Sequence, residues 1–73
     1  MNKRVFKTVD LVGTSQKSVD DAIRTAIKRA SKTIRDLKWF ELVEVRGQIT
    51  GGEVTEIQVG LKVGFILEGD LRR

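Results

Sequence analysis

With 73 residues the chain has room for one domain, and it contains no cysteine and no histidine, which removes disulfides, thiolate metal sites, the commonest metal ligand and the usual proton shuttle. A domain this small buries little of its own surface, so self-association is the remaining route to stability. The net charge of +4 and pI of 9.9 raise the question of a nucleic-acid or phosphate partner, but acidic residues are interleaved almost throughout, the pattern of a solvated face.

Taken in chain order, Met1-Asn2-Lys3-Arg4-Val5-Phe6-Lys7 turns polar too soon for a signal peptide. No apolar run is long enough to span a bilayer, so no membrane partner and a cytoplasmic location are expected. Residues 4–12 predict a strand carrying Val5, Phe6, Val9, Leu11 and Val12. A polar loop follows, and Ser18 is a good N-cap with Asp21 three residues on, a weak capping box. The helix is expected from about Val19 to Asp36, its apolar stripe formed by Val19, Ala22, Ile23, Ala26, Ile27, Ala30, Ile34 and Leu37. Asp20 and Asp21 near its start and Lys32 and Arg35 near its end suit the helix dipole.

A second strand is predicted over 38–50, Gly51-Gly52 is a two-residue hairpin signal, and a third strand follows over 53–68. Residues 69–73 read as a frayed end. The third strand alternates cleanly. Ile57, Val59, Leu61, Val63, Phe65 and Leu67 make one apolar face, on which the helix stripe should pack. The other face is Glu56, Gln58, Gly60, Lys62, Gly64 and Ile66. Glycine at alternate positions strips side chains from that face, as where something approaches the backbone closely. A tight Gly51-Gly52 turn sets Val45 opposite Gln58, Val43 opposite Gly60, Glu41 opposite Lys62 and Trp39 opposite Gly64; a bulge near Glu44 or Gly47 would shift these by one. Trp39 over a glycine makes a flat slot, and Glu41–Lys62 a cross-strand charge pair. One helix cannot cover both faces, so Trp39, Val43, Val45 and Ile66 are expected to stay uncovered on a monomer, which marks an interface or a ligand site.

At these residues the chain resembles the dodecins, small flavin-binding proteins that assemble as hollow dodecamers. The resemblance runs through Val12-Gly13-Thr14-Ser15, Ala22-Ile23, Ala26-Ile27, Trp39-Phe40-Glu41, Arg46-Gly47, Gln58-Val59 and Leu61-Lys62-Val63-Gly64-Phe65, nearly the whole chain in order. It implies an α+β fold of β-α-β-β order, a three-stranded antiparallel sheet packed on one amphipathic helix, and a homododecamer. It also implies flavin bound between subunits and stacked on Trp39, with Gln58 bonding the isoalloxazine edge and Arg46 near the pocket. The ligand would be FMN or another flavin, riboflavin or FAD, and the role flavin storage and protection from its photochemistry. Ile66 stands where several bacterial members carry an arginine that could meet a phosphate or a coenzyme A group.

Each residue also has a plainer reading. Trp39 by itself suits core or interface packing, and Gln58 a solvated strand position. Gly60 and Gly64 also permit twist or close subunit contact, Arg46 a surface salt bridge, and Gly47 a bulge. Three rival functions fit the sequence less well. A nucleic-acid module lacks aromatics interleaved with its basic residues. An enzyme would have to work without His, Cys or Tyr. A purely structural oligomer would fill the slot with side chains.

Overall fold

The computed structural model describes residues 3–67. Its elements are β1 (Phe6–Ser15), α1 (Val19–Ala30), β2 (Leu37–Thr50) and β3 (Glu53–Ile66). They form one antiparallel sheet in the order β1-β3-β2 with the helix on one side, the expected α+β architecture. β1 lies three residues further along than 4–12 at its far end, and residues 68–73 lie outside the described part. Among the described residues no helix is long and apolar enough to cross a membrane.

The helix start is built much as its residue types require. The Ser18 hydroxyl accepts the Asp21 N–H at 3.0 Å. The Asp21 carboxylate does not reach back to close a capping box. It accepts from the Ser15 hydroxyl at 2.7 Å, and Ser15 in turn accepts the Lys17 N–H at 2.8 Å, so the loop is tied to the end of β1.

The helix end corrects the expectation. It stops at Ala30, not near Asp36. Ser31 donates its hydroxyl to the Lys28 carbonyl at 2.8 Å and Thr33 its hydroxyl to that of Ala30 at 3.4 Å. The N–H groups of Lys32 and Thr33 reach back only three residues, to Arg29 and Ala30. Hydroxyl side chains that compete for helix carbonyls, followed by tightened turns, are how a helix unwinds. Asp36 then takes a φ of 61°, a left-handed conformation that a short polar side chain tolerates, and turns the chain into β2. Ile34 and Leu37 kept helical spacing in the sequence but serve the turn and the strand.

The core is small. Val59, Leu61 and Val63 of β3 are fully buried with Ala22 of the helix, and Val9, Leu11, Val19, Ile23, Ala26, Ile27, Leu37 and Ile57 pack around them. The helix seats directly on β1 because Gly13 lacks a side chain: a Cβ there would stand 2.5 Å from the Ala22 carbonyl oxygen and 2.8 Å from the Ala26 Cβ. Gly13→Ala should therefore lower stability by about 1–3 kcal/mol, the scale of an overpacked contact. Urea unfolding at fixed protein concentration should show the lower midpoint; an unchanged midpoint would mean that the helix shifts without cost.

Candidate functional site

The side of the sheet away from the helix carries the residues singled out above. Because partners in an antiparallel pair share a face, the register sets this open face in rows across β1, β3 and β2. These are Thr8–Gly64–Trp39, Asp10–Lys62–Glu41, Val12–Gly60–Glu44 and Thr14–Gln58–Arg46. The expected pairs Trp39–Gly64 and Glu41–Lys62 are present. The other two are corrected by one residue: Gln58 faces Arg46, not Val45, and Gly60 faces Glu44, not Val43. The cause is a pair of opposed bulges. Near the hairpin β3 carries an extra residue, Thr55, which advances the register by one; β2 carries its own extra residue, Val43, which sets it back. Gly47 is not a bulge residue. It pairs regularly with Ile57, with the Glu56 carbonyl oxygen 3.0 Å from where its Cβ would be.

Trp39 lies flat on Gly64: a Cβ on that glycine would stand inside the indole, 2.7 Å from Nε1. The ring is nonetheless 42% exposed. Phe6 supports it from β1, centroid to centroid 6.4 Å at 57°, and the Arg4 guanidinium stands 5.8 Å from the Phe6 ring centre. Gly60 is covered less closely, with the Glu44 Cβ 3.6 Å from the position of its own missing Cβ. A shallow groove beside it is lined by Asp10, Val12, Val43, Gly60 and Lys62.

Arg46 and Gln58 are brought into direct contact. Arg46 Nε donates to Gln58 Oε1 at 2.8 Å, and Arg46 Nη1 donates to Glu44 Oε2 at 2.6 Å. Gln58 Nε2 donates to Glu56 Oε1 at 3.3 Å. The Arg46 and Glu44 side chains are half exposed, so this ion pair adds only about 0–1 kcal/mol of stability, and its consequence is orientation. Lys62 stands in register between Asp10 and Glu41, but the ion pairs among the described residues are Arg46–Glu44 and Arg24–Asp20. Glu56 and Phe6 have no site role in the sequence reading, where Glu44 reads as part of a solvated pattern and Arg4 as a cation able to meet a phosphate. An alternating Glu44-x-Arg46 was the available signal, but which face it occupies depends on the bulges.

The uncovered apolar surface is also redistributed. Val45 lies opposite Val59 and so belongs to the helix side, not to the open face as expected. The helix packs mainly on β1 and β3 and meets β2 at its Leu37 end, so Phe40, Leu42, Val45 and Ile49 of β2, with Val54 of β3, form an exposed apolar column on the helix side. At its outer end Ile49 is 71% and Val54 66% exposed. Trp39, Val43 and Val12 remain exposed on the other side. Among the described residues no group of three or more Asp or Glu side chains is placed to hold a metal ion.

A stripped, aromatic-bearing sheet face and a second exposed apolar column are the surfaces that small self-associating ligand-binding α+β domains present. The comparisons with known proteins make this specific. The dodecin family model matches residues 5–68. A dodecin from Thermus thermophilus is 52% identical over 65 residues, 89% of this chain and 94% of that protein. The structure of the dodecin from Streptomyces davaonensis superposes with a TM-score of 0.88 at 48% identity, covering 93% of this chain and 100% of that one. That of dodecin from Streptomyces coelicolor gives 0.89 at 51% identity, covering 94% and 99%. The chain belongs to the dodecin family.

The slot geometry is testable without a ligand. Gly64→Val should push the indole off the sheet and shift emission of the single tryptophan to the red as the ring swings into water. Identical emission spectra would contradict the seating of Trp39 on Gly64.

Proposed function

We propose that this protein binds flavin without turning it over, as a homo-oligomer that stores and shields the cofactor. The observation that carries the reading is Trp39: a half-exposed indole held flat against a glycine, on the same sheet face as an Arg46–Gln58 pair that lies three rows along and offers polar atoms. A broad planar ring can stack on such a platform, its edge meeting polar groups brought by a neighbouring subunit. Stacking supplies the attraction, and close contact with the electron-rich indole gives the excited flavin a route to decay. Gln58 orients the ring edge, Gly60 and Gly64 keep the floor low, and Arg46 holds Gln58. The family resemblance supports a flavin held between subunits of a dodecamer, and the sequence pattern supports a cytoplasmic location. FMN, riboflavin and FAD share the ring that the platform takes.

Stacking on Trp39 predicts that added riboflavin loses most of its fluorescence on binding. Trp39→Ala should weaken binding by about 1–3 kcal/mol, the scale of a lost aromatic stack on a base, with the oligomer retained. Equal affinity in the two proteins would refute the role. Ile66 brings no charge to the end of the sheet where it faces Phe6, and Arg4 over Phe6 is exposed and screened by salt. FMN should therefore be preferred over riboflavin by less than about tenfold, or ~1.4 kcal/mol, and less at higher salt. A salt-independent preference of roughly a hundredfold would point to a dedicated phosphate site.

Assembly is assigned to the helix-side column together with the open face. A charged side chain buried in such a contact without a partner is costly, so Val45→Lys combined with Ile49→Lys should reduce the sedimenting species to smaller units. An unchanged sedimentation coefficient would place the interface elsewhere.

A further inference from the structure

The Gln58 amide can take only one polarity in this setting. On one side it meets Arg46, whose guanidinium has donors and no acceptor; on the other it meets the carboxylate of Glu56, which when ionised has acceptors and no donor. The observed arrangement satisfies both, the carbonyl accepting from Arg46 Nε at 2.8 Å and the amino group donating to Glu56 at 3.3 Å. Turning the amide over would set donor against donor and acceptor against acceptor. Arg46 is held in turn by Glu44 at 2.6 Å. The four side chains therefore form one directed chain of hydrogen bonds, Glu44–Arg46–Gln58–Glu56, along the open face. After those bonds are made, Gln58 has one carbonyl lone pair and one N–H left.

We propose that Glu44 and Glu56 are positioning residues that fix the polarity of the Gln58 amide, so that the site selects ring edges carrying an N–H next to a carbonyl, the lactam or imide class. The inference rests on the flavin-binding reading, since the pyrimidine edge of isoalloxazine is an imide with N–H between two carbonyls. Neither glutamate needs to touch the ligand. Their contribution is that Gln58 meets the ligand already oriented, without sampling the inverted amide.

The test compares riboflavin with 3-methylriboflavin, which keeps the stacking surface and lacks the imide N–H. Both are titrated into wild type, Glu44→Gln and Glu56→Gln, with the oligomer followed by gel filtration. Wild type should bind riboflavin at least about tenfold tighter, the scale of one lost hydrogen bond that leaves a partner unpaired. Each variant should narrow that ratio by roughly threefold or more, mainly by weakening riboflavin. The steric effect of the methyl group cancels when ratios are compared between proteins. A ratio equal in all three proteins overturns the proposal, as does an equal loss for both flavins, which a purely structural role would give. Should a glutamine variant fail to assemble, Glu56→Asp shortens the reach with the charge kept, and the same narrowing is expected. A ligand-free arm separates the two claims. In a nitrogen–proton spectrum of glutamine-labelled protein, one Gln58 amide proton should move upfield in Glu56→Gln, and an unmoved signal overturns the clamp. Wild type that binds neither flavin overturns the binding reading and the selection with it, while the amide signal still judges the clamp.

Discussion

One short helix has to serve a sheet much longer than itself. Twelve helical residues extend about 18 Å, whereas the 14-residue strands β2 and β3 run on the order of 45 Å. The helix therefore buries only the middle of β3, at Val59, Leu61 and Val63, and reaches sideways mainly to β1, with β2 engaged at its Leu37 end. The molecule is accordingly elongated, 57 × 20 × 14 Å. The bare β2 column, the projecting hairpin with Ile49 and Val54, and the uncovered open face all follow from that mismatch. Apolar surface left on both sides of a sheet marks contact sites, which the proposed assembly fills with other copies of the chain.

The open face depends on a second constraint, the opposed bulges of the β2–β3 ribbon. Between Thr55 and Val43 the register is displaced by one residue; from Leu42 to Trp39 the simple hairpin count holds again, and a further shift falls between Trp39 and Leu37. The displacement turns Val45 to the helix side and brings Arg46 and Glu44 to the open face. An unbulged ribbon would set Val45 beside Gln58 and leave the glutamine without its guanidinium. The polar cluster exists because of an irregularity, while the Trp39–Gly64 stack lies beyond both bulges, where their shifts cancel.

That difference decides what was legible in the sequence. The unbroken alternation of Ile57 through Phe65 gave the buried face of β3, and the Gly51-Gly52 turn gave the pairing of Trp39 with Gly64. The bulges left no comparable mark. Val43 and Thr55 are ordinary strand residues, and Gly47, the residue that resembled a bulge, sits in regular pairing. The helix end was misread because Ile34 and Leu37 keep a 3.6-residue spacing beyond the turn where Ser31 and Thr33 hydroxyls take over the carbonyls. The helix width could not be read either, which is why the bare surface was expected on one face and is found on both. The family resemblance supplied what residue patterns alone left open, the identity of the ligand and the subunit number.

In the assembled account, the helix-side column and the open face join subunits, and the Trp39 platform holds a planar ring between them. The most direct test is the visible absorption spectrum of the freshly purified oligomer, taken after saturation with riboflavin and removal of the excess by gel filtration. The account predicts a flavin band that travels with the protein near one ring per chain, with its fluorescence largely quenched. An oligomer that emerges colourless, with all the flavin in the small-molecule fraction, would contradict it.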